Sequence, residues 1–173
     1  MKLPNPLSWS ASVGALFFAW LLQFTVIPRW FLTPGRPDLV FLVIAIVILL
    51  NRKGWGPYLF AATGGLMVDL ITFRFLGLNV LLMLLVAVVL LRVLQAFTRV
   101  SLALAVILTT SCSLMIEVVR GLMALIGGIS VGGISGFGAI VLTTTLYNGV
   151  MMTILFFIAL HLLPNKLVLM IQK

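Results

Sequence analysis

Long apolar runs dominate the chain, and they predict six helices in a membrane. A helix that crosses a bilayer core of ~30 Å needs about 20 predominantly apolar residues. The runs are continuous rather than alternating, which argues against an outer-membrane barrel. A helix also pairs its own backbone groups within one segment, as lipid requires. The predicted helices cover residues 9–32, 38–51, 56–73, 77–97, 99–126 and 137–163.

Two features depart from this regular pattern. The second predicted helix is short, because its apolar run, residues 39–50, rises only ~18 Å at 1.5 Å per residue. It either spans a locally thinned bilayer or forms a re-entrant pair with the third helix. The glycine-rich stretch IGGISVGGISGFG, residues 126–138, predicts a flexible loop before the sixth helix. A backbone surface that lets a partner approach closely is the alternative for that stretch.

Composition supports an all-α integral membrane protein with one transmembrane domain over residues 1–173. Hydrophobic residues make up 63% of the chain and charged residues 8%, which is too few to give a soluble domain its polar surface. The chain has one histidine and one cysteine. No Cys/His metal spacing exists, and we expect no Ser-His-Asp set. We predict a non-enzymatic protein without cofactor or metal, although catalysis by acids alone stays open.

The basic residues predict the orientation of the chain in the membrane. With the N-terminus in the cytoplasm, the inner side carries seven of the 11 Lys and Arg residues, as the positive-inside rule requires. Both termini are then cytoplasmic, and the basic inner rim faces anionic membrane lipids rather than nucleic acid. The three acids, Asp38, Asp69 and Glu117, all fall in the outer half together with Arg36, Arg74 and Arg120.

Two of these polar groups have simple structural explanations. Pro37 and Asp38 suit the first turn of a helix, where proline loses no hydrogen bond and an acid meets the positive end of the helix dipole. A turn that aims Arg36 at a partner is the alternative. Glu117 and Arg120 lie three residues apart on one helix face, and pairing them lowers the cost of placing both in lipid.

Asp69 is the least expected acid, because it lies in an apolar helix. Gly65, one turn before it, allows another helix to pack closely. Asp69 could snorkel or pair locally as a lock at the helix end, with Arg74 five residues on, or anchor polar backbone or a basic side chain of another helix. A role as an ion-coupling acid is a third interpretation. A tight turn at Gly77 then leads to Asn79 and the fourth helix.

Small and polar residues within the helices predict contacts between helices. Ala11, Ala15 and Ala19 repeat every four residues, a spacing that permits close packing within the chain or against a partner. The polar residues predict interhelical hydrogen bonds, with a small-molecule cavity as the rival explanation. They are Gln23, Thr63, Thr109, Thr110, Ser111, Ser113, Thr144 and Asn148.

Three short motifs in the middle of the chain resemble the rod shape-determining protein family MreD. That family shows an R-P-D start to a short apolar segment, then a G-x-x-x-D-L element, then an L-G-L-[NH] entry to the next span. The resemblance covers about residues 36–82. The matching residues are Arg36-Pro37-Asp38, Gly65 through Asp69-Leu70, and Leu76-Gly77-Leu78-Asn79.

The resemblance implies a non-enzymatic scaffold of the bacterial elongation (rod) complex, in the cytoplasmic membrane. Such a protein binds MreC, a single-span periplasmic protein, and is linked with the MreB filament and the RodA/PBP2 synthase. It supports lateral-wall peptidoglycan synthesis and rod shape. Substrate-binding subunits of energy-coupling-factor vitamin transporters are the alternative. These six-helix proteins use small residues four apart in helix one to bind a membrane coupling subunit, which Ala11, Ala15 and Ala19 would suit.

Overall fold

The computed structural model describes residues 9–30, 35–52, 54–72, 75–97, 101–128 and 133–162, and every regular element in that part is helical. The prediction of an all-α protein is therefore confirmed. The six predicted helices are present, the first of them divided in two. The helices are α1 (Trp9–Thr25), α2 (Ile27–Trp30), α3 (Leu39–Leu50), α4 (Gly56–Thr72), α5 (Leu78–Ala96), α6 (Leu102–Ile126) and α7 (Gly133–Leu162).

Two helix boundaries differ from the prediction. The first helix is interrupted at Val26, because Pro28 has no N–H to donate and its ring crowds the preceding turn. The last helix begins at Gly133, which takes a φ of +73° that glycine adopts without a steric penalty. The predicted flexible loop is thus wrong for residues 133–138, which are helical. Residues 129–132 lie outside the described part.

The short helix α3 is the centre of the bundle. It packs against α1, α4, α5, α6 and α7. A helix that is apolar all round is expected to be enclosed by protein, and most of α3 is buried. Because protein surrounds its sides, little of α3 faces lipid, and its packing against α4 is compatible with a spanning helix or a re-entrant pair. Its buried residues are Val40, Phe41, Leu42, Ile44, Ala45, Val47, Ile48 and Leu49.

The outer helices have the length and surface of membrane spans. Four segments are long and apolar enough to cross a bilayer: Trp9–Arg29, Leu78–Ala96, Leu102–Ile126 and Ser135–Ile158. Their outward-facing side chains are apolar as well; Leu81, for example, is 67% exposed and Leu146 66%. A surface of this kind suits lipid rather than water. These are the helices of a multi-pass membrane protein.

Successive long helices run in opposite directions, so the bundle has two ends. We call the end where α3, α5 and α7 begin the Asp38 end, and the opposite end the Asn51 end. At the Asn51 end, the Arg52 guanidinium contacts the Phe97 carbonyl at 3.5 Å, and Trp9 packs on Phe60. Most of the side-chain hydrogen bonds that join different helices lie at the Asp38 end, which is described next.

Candidate functional site

The centre of the polar cluster is Arg120, on α6. Its Nη1 donates to Asp38 Oδ2 at 2.8 Å and to Glu117 Oε1 at 2.9 Å. Its Nε donates to Asn79 Oδ1 at 2.9 Å. Hydrogen bonds between ionised groups are stronger than neutral ones. One guanidinium therefore joins the start of α3 and the start of α5 to α6.

Asp38 holds the start of α3 in two ways. Its Oδ1 accepts from Phe41 N at 3.0 Å, which caps the helix and satisfies one of the amides left free in the first turn. Its own N–H donates to Asn148 Oδ1 at 2.8 Å, and Asn148 Nδ2 donates to Ser113 Oγ at 2.7 Å. The beginning of the central helix is thus tied to both α6 and α7.

Asp69 is 1% exposed and accepts four hydrogen bonds from the start of α5. Oδ1 accepts from the backbone and side-chain nitrogens of Asn79, at 3.2 and 2.8 Å. Oδ2 accepts from Gly77 N and Val80 N, at 3.0 and 3.2 Å. A helix N-terminus attracts a carboxylate through its free amides and its dipole. Asp69 therefore locks α4 to α5 within this chain.

Two glycines make that contact possible. A Cβ on Gly65 would lie 2.6 Å from the Val80 Cα and 2.7 Å from the Asn79 carbonyl oxygen, so only glycine lets α4 approach the backbone of α5 there. Gly77 adopts φ +92° in the turn that leads into α5. Gly65, Asp69 and Gly77 together bring the first turn of α5 onto α4.

Further hydrogen bonds attach α1 and α7 to the chain around Asp38. Gln23 Oε1 accepts from Val40 N at 2.9 Å, and Thr144 Oγ1 accepts from Arg36 N at 3.2 Å. With the contacts of Arg120 and Asp69, they form a cluster that touches α1, α3, α4, α5, α6 and α7. We call this set the Arg120 cluster. It consists of Gln23, Asp38, Asp69, Asn79, Ser113, Glu117, Arg120, Thr144 and Asn148.

Two cavities adjoin the cluster, and Gln23, Phe24 and Arg120 line both of them. The first, of about 260 Å³, lies between α1–α2 and α6–α7. Its walls also include Arg36, Asp38, Glu117 and Thr144 together with Ile27, Pro28 and Pro37. The second, of about 240 Å³, faces α4 and α5 and is mostly apolar, with Val68, Thr72, Phe75, Leu78, Asn79 and Ala124 in its walls.

The structure brings most of the predicted site residues into one place. Asp38, Asp69, Asn79, Glu117 and Arg120 share the cluster, with Gly65 and Gly77 at its edge. Pro37 is buried in the adjoining cavity wall, whereas Arg36 is exposed there. Arg74, the proposed partner of Asp69, lies outside the described residues. Ala19 is buried but Ala11 and Ala15 are exposed, so packing within the chain explains Ala19 alone.

Gln23, Thr144 and Asn148 were not among the predicted site residues. Their polarity within apolar helices predicted interhelical hydrogen bonds, and the structure shows such bonds for all three. The spacing of Thr144 and Asn148, four residues apart on one face of α7, was the available signal. Sequence alone could not show that α7 presents this face to the start of α3.

The chemistry of the cluster is that of charge pairing. Both acids nearest the cavity, Asp38 and Glu117, already bind Arg120. Across the described part of the chain, no group of three or more His, Cys, Asp or Glu side chains could hold a metal ion. In comparisons with known proteins, no family model, no curated protein and no solved structure matched this chain.

Proposed function

We propose that this protein is a non-enzymatic membrane scaffold of the MreD type, which holds the single span of an MreC-like partner in a bacterial cell-elongation complex. In that role it supports lateral-wall peptidoglycan synthesis and rod shape, together with the MreB filament and the RodA/PBP2 synthase. The protein would lie in the cytoplasmic membrane with both termini in the cytoplasm. The Asp38 end would then face outward, toward the periplasmic part of the partner.

The observation that carries the proposal is the meeting of the three motifs in space. Asp38 of R-P-D is distant in sequence from Asp69 of G-x-x-x-D-L and from Asn79 of L-G-L-N, which are 10 residues apart. In the fold they are connected through Arg120, because Asn79 binds both Asp69 and Arg120 and Asp38 binds Arg120. Motif residues that bind one another build a rigid element, which suits a scaffold.

Co-purification tests the proposal. We expect a single-span MreC-like protein, co-expressed with the tagged chain, to be retained through washing in a mild detergent. The matched variant is Asp69→Leu, which should weaken retention because α4 and α5 no longer meet correctly. A control variant, Arg92→Gln, changes an exposed residue near the Asn51 end and should retain the partner. Loss of the MreC-like protein from the unmodified chain would remove the main support for the scaffold.

A substrate-binding subunit of an energy-coupling-factor vitamin transporter is the second candidate. Two observations favour it: a cavity of about 260 Å³ adjoins the Arg120 cluster, and Ala11 and Ala15 are exposed on α1, where a coupling subunit could pack. The six helices fit that architecture too. A vitamin bound tightly to the purified protein, without an MreC-like partner, would favour the transporter subunit over the scaffold.

A further inference from the structure

The polar contacts of Arg120 leave part of its guanidinium unused. Nε and Nη1 bind three partners, but Nη2 is buried and has no hydrogen-bond partner among the described residues. A buried donor without a partner destabilises the folded state, and more so when it is charged. An acceptor that reached Nη2 would remove this cost.

Glu117 offers the complementary group on the same cavity. Within the described part of the chain, it bonds Arg120 through Oε1, and no bond to Oε2 is found. Asp38 differs, because Oδ1 caps α3 and Oδ2 binds Arg120. Glu117 and Arg120 both line this cavity. Among the described residues, Glu117 Oε2 has no bond and Arg120 Nη2 is unpaired but covered.

The charges in the cavity wall restrict what could bind there. Asp38 and Glu117 contribute two negative charges, and Arg36 and Arg120 two positive ones, so the formal sum is zero. A simple anion would meet the two carboxylates, and a simple cation would meet Arg120. A ligand that carries both charges can place each beside its opposite.

We propose that this cavity binds a zwitterionic phosphoethanolamine headgroup. A phosphate oxygen accepts from Arg120 Nη2, and the primary ammonium donates to Glu117 Oε2. Because Nη2 is almost fully covered, the guanidinium must turn slightly toward the cavity. The volume of about 260 Å³ is below the usual range for drug-sized ligands, which suits a headgroup. Phe24, Ile27 and Pro28 give the glycerol and the first methylenes an apolar wall.

The same headgroup chemistry could come from a membrane lipid or from a free solute. The probes are therefore phosphatidylethanolamine, phosphatidylcholine, phosphatidylglycerol and soluble glycerophosphoethanolamine, added to the delipidated full-length protein in detergent. We expect phosphatidylethanolamine to raise the melting temperature at a concentration roughly tenfold below that needed for phosphatidylglycerol, a difference of about 1.4 kcal/mol. Phosphatidylcholine should bind weakly and raise the melting temperature little, because its ammonium has no N–H to donate to Glu117. Binding by the soluble compound at the same strength would identify a free solute as the source.

Variants separate the site from general lipid effects. Glu117→Gln keeps an oxygen for Arg120 but removes the charge, so it should abolish the preference for ethanolamine over choline. Arg92→Gln also removes one charge, of opposite sign, from an exposed residue, and it should leave the preference intact. Each variant's melting temperature without lipid reports whether it folds. Equal stabilisation by all three lipids, an unchanged preference in Glu117→Gln, or a vitamin in the cavity of the purified protein would overturn the proposal.

Discussion

Asp69 shows how a charge can be stable inside an apolar bundle. Its two oxygens accept four N–H groups, three of them from the backbone at the start of α5. These amides have no partner within their own helix, so the carboxylate satisfies donors that lipid could not. The sequence allowed a local lock, an anchor on another helix or an ion-coupling acid. The structure shows the anchor, with backbone rather than a basic side chain as its partner.

The stability lost on substitution of Asp69 should therefore depend on how many hydrogen-bond acceptors remain at this position. Asp69→Leu leaves several buried donors unpaired, at about 1–3 kcal/mol each, and we expect a large fall in the melting temperature. Asp69→Asn keeps one acceptor oxygen, which preserves two of the four hydrogen bonds. Its melting temperature should therefore lie between those of Asp69→Leu and the unmodified chain. Thermal unfolding of the purified protein in detergent measures both. Equal stability of Asp69→Leu and the unmodified chain would show that the acid is merely tolerated.

At the scale of the helices, much of the fold follows from the apolar pattern. All six helices were predictable because a long apolar run in lipid has few stable backbone structures other than a helix. The break at Val26 was missed because the apolar run continues past Pro28, although proline disfavours a helix interior. The early start of α7 was missed because a glycine-rich run fits either a loop or a helix start. The central position of α3 was also missed. Its short apolar run does not show that five other helices pack around it.

The contact between α4 and α5 depends on one glycine, which gives a sharp test. Gly65→Ala places a methyl group 2.6 Å from the Val80 Cα, and backbone cannot move aside as a side chain can. We expect the free energy of unfolding to fall by about 1–3 kcal/mol, the usual cost of overpacking. Gly64→Ala should cost less, because its Cβ meets the flexible end of Ile44.

Gly14 provides the matched control for that measurement. A Cβ there has no neighbour within 4 Å, so Gly14→Ala should be neutral or slightly stabilising, through the better helix propensity of alanine. All three variants are compared by their melting temperatures under the same conditions. A loss for Gly14→Ala as large as that for Gly65→Ala would contradict close packing as the cause.

At the scale of the whole molecule, the predicted orientation can be tested with two new cysteines. Ile126 at the Asp38 end is 80% exposed and Trp55 at the Asn51 end is 82% exposed, whereas the native Cys112 is buried. If the Asp38 end faces outward, a membrane-impermeant maleimide added to intact spheroplasts should label Ile126→Cys but not Trp55→Cys. Permeabilised membranes should label both. The opposite pattern in intact spheroplasts would reverse the assigned orientation.

The Arg120 cluster connects all the long helices, so the contribution of its charges to stability is best measured by changing them together. Arg120→Met leaves two buried carboxylates unpaired. We expect the free energy of unfolding to fall by about 3–5 kcal/mol. The triple variant Asp38→Asn, Glu117→Gln and Arg120→Met removes all three charges, and the asparagine side chain that replaces Asp38 would still cap α3. It should therefore be more stable than Arg120→Met alone, because no unpaired charge remains buried.

The comparison between these two variants separates the charge of Arg120 from its other contacts. Both lose the hydrogen bond to Asn79 and the bulk of the guanidinium, so those losses cancel. Arg92→Met, an exposed arginine on α5, controls for the removal of a positive charge and should change the melting temperature little. A triple variant less stable than Arg120→Met would mean that the carboxylates of Asp38 and Glu117 stabilise the bundle through contacts other than Arg120.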